Sequence, residues 1–119
     1  MNAASDRVRR VYLAGPDVFR ADATERLQRL VEACAARGFE ALPPAEDASG
    51  PATPPAEVAQ AIYDTNMALL RRASGVIADL SPFRGTEPDS GTVFEVGVAT
   101  ALGLPVVGYG IPEGSYAAR

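Results

Sequence analysis

The chain has 119 residues, of which 47% are hydrophobic, and this length fits one compact domain with a core of its own. Its net charge of −4 argues against a nucleic-acid partner, because proteins that bind the phosphate backbone concentrate basic surface. The sequence contains no histidine and a single cysteine, Cys34, which excludes a His-based triad, a Cys/His zinc site and an intrachain disulfide. Small molecules are therefore the expected ligands.

The start of the chain predicts no export and no membrane anchoring. Residues 1–10 are polar and charged, without the apolar core of a signal peptide, and no window approaches the ~18 uninterrupted apolar residues of a membrane span. We therefore predict a cytoplasmic protein that does not need a membrane. We also expect it to need no metal ion and no cofactor.

The first half of the chain predicts a strand, a helix, a second strand and a loop. Val8 to Leu13 is a short apolar strand stopped by a glycine and a proline. Ala21 to Arg37 carries apolar residues at the spacing of one helix face, and Gly38 is a plausible helix end. Phe39 to Leu42 is the second strand, and Pro43 to Pro55 holds five prolines and predicts a surface loop.

The second half continues the same alternation. A helix is predicted over Ala56 to Ala73, a strand over Gly75 to Leu80, a helix over Gly91 to Leu102 and a strand over Pro105 to Tyr109. Strands that alternate with helices in this way predict a parallel sheet covered on both faces.

Glu95 is the strongest candidate for chemistry. Between Asp79 and Glu95, polar residues lead from the end of a buried strand into an apolar helix, which is where an open α/β sheet usually binds its ligand. Glu95 lies about one turn into that helix among apolar neighbours, so we expect a partly dry site and a helix dipole that favours the ionised carboxylate. Such a group can attack an electrophilic carbon. An ordinary solvated glutamate at a helix start is an equally weighted alternative.

Asp89 and Tyr12 are two further polar groups that can reach the same place. Asp89 precedes the helix, with Ser90 or Thr92 able to cap it, and paired carboxylates are typical of glycosyl transfer because its transition state resembles an oxocarbenium ion. Tyr12 ends the first strand and can hydrogen-bond a carboxylate there. The simpler alternatives are an aspartate that acts only as a cap and a tyrosine that belongs to the core.

The other polar or flexible positions have structural explanations of equal or greater weight. Gly15 and Gly85 allow backbone to approach a ligand, but turns are the commoner reason for such glycines. Arg84 can bind a phosphate or a carboxylate, or it can pair with Asp79 or Glu87. The chain lacks GxGxxG and GxxxxGK[ST] motifs, so a dinucleotide or P-loop site is not supported.

Three segments of the chain resemble motifs of the nucleoside 2-deoxyribosyltransferases. They are VYLAGPDVF at 11–19, IADLSPFRG at 77–85 and DSGTVFEVG at 89–97, in the family's order and spacing. The likeness runs from about Val8 to Tyr109. It implies a single domain over residues 1–119, with a flavodoxin-like open parallel sheet of four to five strands and helices on both faces. It also implies transfer of a 2-deoxyribosyl group between nucleobases through a covalent glycosyl-enzyme, with net retention.

The resemblance also implies roles for individual residues. Glu95 matches the family's nucleophile, Tyr12 the tyrosine that orients it, and Asp89 a carboxylate that holds sugar hydroxyls. Asn66 falls where many members carry an aspartate that handles the base and its proton, and Asp79 is our reserve candidate for that proton. The positions expected to line the base and sugar pocket are Gly15, Asp17, Phe19, Pro82, Phe83 and Arg84.

Family members usually continue beyond the last strand and lend an asparagine to the neighbouring subunit's active site. The ten residues after Tyr109 include no asparagine, so we expect that contribution to be missing from this chain. We still expect a homo-oligomer that binds deoxynucleosides and free nucleobases, with hydrolysis as a side reaction. Two alternatives remain: an N-glycosidase acting on deoxynucleosides or their monophosphates, with Arg84 on the 5′-phosphate, and a nucleoside-binding module without catalysis.

Overall fold

The computed structural model describes residues 9–16, 21–45, 50–115 and 117. Strands and helices alternate along this part of the chain in the predicted order. They are β1 (Arg9–Ala14), α1 (Ala23–Ala36), β2 (Phe39–Leu42), α2 (Pro55–Arg72), β3 (Gly75–Asp79), α3 (Ser90–Ala101) and β4 (Val106–Tyr109).

The strands form one parallel sheet in the order β2-β1-β3-β4. This is the flavodoxin-like order, in which successive crossovers leave β1 in opposite directions along the sheet. The four-stranded flavodoxin-like sheet confirms the predicted fold class. The position between β1 and β3, where the strand order reverses, is where such sheets bind ligands at their carboxyl ends.

Two apolar layers cover the sheet, as the alternation of side chains along a strand requires. Val11 and Leu13 of β1 pack with Cys34 of α1 on one face. Tyr12 and Ala14 of β1 pack with residues of α2 and α3 on the other face, including the fully buried Leu70. The predicted cover on both faces is therefore confirmed, and Tyr12 points toward the layer that contains α2 and α3.

β2 has its predicted bounds, and the boundaries of the other elements differ from the predictions by one or two residues. β1 continues to Ala14 before the chain bends at Gly15, while Val8 lies outside the described residues. α2 begins at Pro55, inside the predicted loop, because a proline fits the first helical position, where its missing N–H is not needed. Within the described ranges, no helix is both long and apolar enough to span a bilayer.

Candidate active site

A tyrosine from the sheet and a glutamate from α3 meet in the layer above β1. Tyr12 is fully buried, and a buried tyrosine hydroxyl needs a hydrogen-bond partner. It donates a hydrogen bond to Glu95 Oε2, with the two oxygens 2.5 Å apart. The two residues are 83 positions apart in the sequence, so only the packing of α3 on the sheet brings them together.

Asn66 of α2 brings a third element to the same carboxylate. Its side chain acts to lower the pKa of Glu95, and its Oδ1 accepts a hydrogen bond of 2.8 Å from the backbone N–H of Ala45, in the segment that follows β2. Glu95 is therefore tied to β1 by the Tyr12 hydroxyl, and the α2 side chain of Asn66 acts on its charge. It is half-buried, neither sealed in the core nor fully exposed to solvent.

The pKa of Glu95 is raised above its ordinary value. Burial of the carboxylate is the largest cause, and the negative charge of Asp89 adds to it, while the hydrogen bonds from Tyr12 and Asn66 act in the opposite direction. Desolvation therefore outweighs the interactions that favour the ionised form, while the contribution expected from the helix dipole stays a prediction.

The pKa of Tyr12 is also raised, first by burial and then by its hydrogen bond to Glu95 and the charge there. A tyrosine with a raised pKa keeps its proton throughout the physiological range. Tyr12 is therefore a hydrogen-bond donor to Glu95 and not a base.

Asp89 starts α3. Its Oδ2 accepts hydrogen bonds from the backbone N–H and the hydroxyl of Thr92, each 3.0 Å long. The prediction that Ser90 or Thr92 would cap this helix is wrong: the cap is Asp89 itself, whose carboxylate reaches the free N–H groups of the first turn. Asp89 therefore caps α3, and its charge also acts on Glu95; its expected contact with sugar hydroxyls stays a prediction.

Asp79 ends β3 and is nearly inaccessible, with 3% of its surface exposed. Its Oδ1 accepts a hydrogen bond of 3.0 Å from the backbone N–H of Ser81 and one of 2.6 Å from the Ser81 hydroxyl. Gly110, directly after β4, has a φ of 78°, and a Cβ there would collide with Ser81 Oγ. Both described hydrogen bonds of the Asp79 side chain are thus made with Ser81.

The loop after β3 contains three of the predicted pocket residues. Pro82 and Arg84 are exposed and Phe83 is half-buried. The loop is closed by a hydrogen bond of 2.8 Å from Phe83 N–H to the carbonyl of Glu87. The Arg84 guanidinium lies 4.8 Å from the centre of the Phe83 ring, within cation–π range, and Arg84 has a φ of 54°.

The remaining predicted pocket residues follow β1. Gly15 lies half-buried in the bend after the strand, whereas Asp17 and Phe19 lie outside the described residues. Among the residues that the structure describes, no group of three or more histidine, cysteine, aspartate or glutamate side chains is placed to hold a metal ion.

The sequence reasoning missed the hydrogen-bond partners of Asp79, Asp89 and Asn66. Ser81 follows Asp79 at the spacing of an Asx turn, a pattern that could have been read from the sequence. Thr92 lies three residues after Asp89, at a usual distance for a capping contact. The N–H of Ala45 could not have been found, because no local pattern connects it to Asn66.

Fold and site together define a class of protein, namely a flavodoxin-like domain with a half-buried glutamate held by a tyrosine at the point where the strand order reverses. The family model of nucleoside 2-deoxyribosyltransferases matches residues 11–116. The chain belongs to the nucleoside 2-deoxyribosyltransferase family.

Two relatives are similar to this chain over most of its length. An uncharacterized protein of Schizosaccharomyces pombe is 36% identical over 102 residues, which are 83% of this chain and 48% of that protein. A 2-desoxiribosyltransferase from Leishmania mexicana superposes with a TM-score of 0.73 at 32% identity, over 85% of this chain and 63% of that one. This chain thus spans about half the length of the curated relative and less than two thirds of the Leishmania protein.

Two further solved structures share the fold. A 2-deoxyribosyltransferase from Bacillus psychrosaccharolyticus has a TM-score of 0.71 at 18% identity, over 92% of this chain and 78% of that chain, and it supports the fold alone. A conserved protein from Enterococcus faecalis has a TM-score of 0.65 at 26% identity, over 86% of this chain and 63% of that chain.

Proposed function

We propose that this protein transfers a 2-deoxyribosyl group between nucleobases, with Glu95 as the nucleophile. The observation that carries the proposal is the half-buried Glu95 carboxylate, which accepts a hydrogen bond from the Tyr12 hydroxyl of β1. Family membership and the likeness to the Leishmania 2-desoxiribosyltransferase support the same reaction.

The reaction has two displacements at the anomeric carbon. In the first, a Glu95 oxygen bonds to that carbon while the bond from carbon to base nitrogen breaks. The departing nitrogen takes the bonding electrons and a proton, for which Asp79 is the reserve donor. In the second, a nitrogen of another base bonds to the carbon, loses its proton, and releases Glu95 as a carboxylate. Two inversions give net retention. Water in place of the second base gives free deoxyribose, the expected side reaction.

The chemistry suits a carboxylate in a partly dry site. The transition state carries oxocarbenium character, and a negative charge next to it stabilises it more strongly where water is excluded. The hydroxyl of Tyr12 fixes one carboxylate oxygen, Oε2, so that Oε1 is the oxygen proposed to attack.

The other predicted site residues enter as parts of the proposed pocket. We assign Asp89 to the sugar hydroxyls and keep Asp79 as the reserve proton donor. The remaining positions are proposed to line the base and sugar: Gly15, Asp17, Phe19, Pro82, Phe83 and Arg84. The ring of Phe83 and the guanidinium above it form a flat surface of the kind on which a base stacks.

We also propose that the protein works as a homo-oligomer. Tyr63 and Phe94 are each about half exposed, and their rings lie 6.2 Å apart on the outer side of α2 and α3. Val93 is exposed beside them. A helix that is apolar on its outer as well as its inner side is typical of a buried position, and a second copy would cover these rings next to Glu95. The cytoplasmic location remains a prediction from the sequence.

The test is incubation of deoxyinosine or thymidine with and without a free acceptor base. Transfer predicts a new nucleoside that depends on the acceptor, and a deoxyribosyl adduct on Glu95 detected by mass spectrometry. Glu95→Ala should lower turnover by a factor of about 10³ or more, as loss of a nucleophile does, whereas exposed Glu57→Ala on α2 should be unaffected. Native rates in Glu95→Ala would overturn the assignment.

The same assay separates the two alternatives. Release of free base and sugar alone, with a preference for 5′-phosphorylated substrates, would indicate an N-glycosidase. Binding of a deoxynucleoside, detected as a raised melting temperature without any product, would indicate a nucleoside-binding module.

A further inference from the structure

The segment that leaves β3 lies closely against the end of β4. A Cβ on Gly108 would lie 2.7 Å from Leu80 Cδ1. The N–H of Leu80 donates a hydrogen bond of 2.8 Å to the carbonyl of Tyr109. One residue further on, Ser81 faces Gly110. The proposed reaction assigns no role to Ser81 or Gly110, although they stand at the start of the loop that is proposed to line the base.

Ser81 is tied to the end of β3 through both its backbone and its side chain. Its N–H and its hydroxyl both donate to Asp79 Oδ1, at 3.0 and 2.6 Å. Local hydrogen bonds of this kind give the backbone of a turn a defined conformation. Because Asp79 is buried, an acceptor left without these donors would cost stability.

Gly110 leaves the space that the Ser81 hydroxyl occupies. A Cβ on Gly110 would collide with Ser81 Oγ and would lie 3.1 Å from Asp79 Oδ1. Gly103 has nearly the same φ, 76° against 78° for Gly110, yet a Cβ there would meet no atom within 4 Å. Gly110 therefore answers a steric requirement that its positive φ alone does not explain.

Pro82 carries the direction of Ser81 into the loop. A proline fixes its own φ and restricts the residue before it, so few rotations separate Ser81 from Phe83. The N–H of Phe83 then donates to the carbonyl of Glu87 at 2.8 Å, and its ring centre lies 4.8 Å from the guanidinium carbon of Arg84. The orientation of Ser81 thus constrains where this ring and guanidinium lie.

We propose that Ser81 is a positioning residue for the nucleobase: clamped by Asp79 and given room by Gly110, it sets the direction of the loop. This direction decides where Phe83 and Arg84 meet the base. The proposal rests on the proposed function in one respect, namely that this loop lines the base. Its consequence lies in the fate of the glycosyl-enzyme, because capture by a second base needs the loop in place and capture by water does not.

The experiment compares two variants with two matched controls. Ser81→Ala removes the hydroxyl and Gly110→Ala introduces the colliding Cβ. Both leave Asp79 in place, so its reserve role in proton transfer is not altered. Ser74→Ala is the same serine change at an exposed position directly before β3, at the opposite end of the strand. Gly103→Ala introduces a Cβ at the same kind of φ but into open space.

The first readout is the ratio of new nucleoside to free deoxyribose at a fixed, subsaturating concentration of acceptor base. Both products come from the same glycosyl-enzyme, so the ratio does not depend on how much enzyme is folded, and a purely structural role would leave it unchanged. We expect it to fall by about three- to tenfold in Ser81→Ala and Gly110→Ala, the size of one lost hydrogen bond. The KM for the acceptor should rise in both, and both controls should keep the wild-type values.

The fit between Ser81 and Gly110 is tested by combining their variants. We expect Gly110→Ala to lower the Tm by about 4 °C more than Gly103→Ala, the size of an overpacked contact. The double variant Ser81→Ala/Gly110→Ala lacks the oxygen with which the new Cβ collides, so most of this excess should disappear. An excess that persists in the double variant would overturn the pairing of the two residues.

A further readout needs no turnover. In ¹⁵N-labelled protein, the Nε–H signal of Arg84, assigned by its loss in Arg84→Lys, senses the ring current of Phe83. It should move in Ser81→Ala and Gly110→Ala and stay in place in both controls. An unmoved signal in both variants overturns the proposal, and so does a wild-type product ratio in both when wild type transfers the sugar. If the signal moves but wild type makes no new nucleoside, the anchoring by Ser81 stands and the proposed function fails.

Discussion

Glu95 must meet two opposing requirements, since a nucleophile has to be ionised and a dry site disfavours its charge. Burial and Asp89 raise the pKa of Glu95, and Tyr12 and Asn66 limit that rise. As the pH falls through the raised pKa, protonation removes the nucleophile. We therefore expect activity to be lost at a higher pH than it would be with an ordinary glutamate.

Tyr12→Phe tests this balance at the level of a single hydroxyl. The variant keeps the buried ring but loses the donor 2.5 Å from Glu95 Oε2. We expect a rate loss of about 10- to 100-fold at neutral pH, the value of a hydrogen bond to a charged group. The pKa of Glu95 should rise further, so the acidic limb of the pH–rate profile should move to higher pH.

Steady-state assays across a pH series measure both effects in Tyr12→Phe. Gln60→Ala is the control, because Gln60 is exposed on α2 and hydrogen-bonds only the neighbouring Asp64 among its described contacts, so the loss of a polar group there should leave the limb in place. A Tyr12→Phe profile that coincides with wild type would remove Tyr12 from the proposed machinery.

At the scale of the element, α3 depends on Asp89 for its start and delivers Glu95 about one and a half turns later. The cap fixes the first turn through Thr92, and this sets the direction in which the next turn presents Glu95. The same carboxylate raises the pKa of Glu95. One residue therefore stabilises the helix and makes the ionised nucleophile less favourable.

Asp89→Asn and Asp89→Ala separate these two effects. Asparagine caps helices about as well as aspartate, whereas alanine loses about 1 kcal/mol of stability. We therefore expect denaturant unfolding to show a clear loss of stability only in Asp89→Ala. Both variants remove the charge, so the pKa of Glu95 should fall in both. An NMR titration of the Glu95 carboxyl carbon in ¹³C-labelled protein measures this change.

Either expectation for Asp89 can fail separately. Equal destabilisation by asparagine and alanine would contradict the capping role. An unmoved Glu95 titration in both variants would contradict the electrostatic coupling between the helix start and the nucleophile.

At the scale of the whole molecule, the exposed rings of Tyr63 and Phe94 lie on the layer that also holds the site. Phe94 precedes Glu95 on α3, so a second copy seated on these rings would lie next to the nucleophile. Association would then both cover apolar surface and restrict access to the site.

Phe94→Lys should weaken this association. We expect wild type to sediment as an oligomer over a wide dilution series and Phe94→Lys to shift toward the monomer, because a charge would be buried in the interface. The control is Val107→Lys, at an apolar residue that is 64% exposed. It lies on the opposite face of the sheet, since its neighbour Val106 packs against the α2 and α3 layer. A monomeric wild type, or an unchanged Phe94→Lys, would contradict the proposed interface.

The sequence by itself determined the order of the elements and the family. The apolar periods and the glycines and prolines between them are local signals, and three separated motifs placed Glu95, Tyr12 and Asp89 in one candidate site. Local patterns also left the helix boundaries one or two residues uncertain, as at Pro55, because a proline can end a loop or begin a helix.

The tertiary structure decided how these residues meet around Glu95. Tyr12 and Glu95 are 83 positions apart, and the Ala45–Asn66 hydrogen bond joins α2 to the segment after β2, so neither contact could follow from spacing within one helix or strand. The direction of the Glu95 pKa shift was also decided there. A helix dipole can be read from position along the chain, whereas desolvation depends on how closely the sheet and α2 pack around the carboxylate.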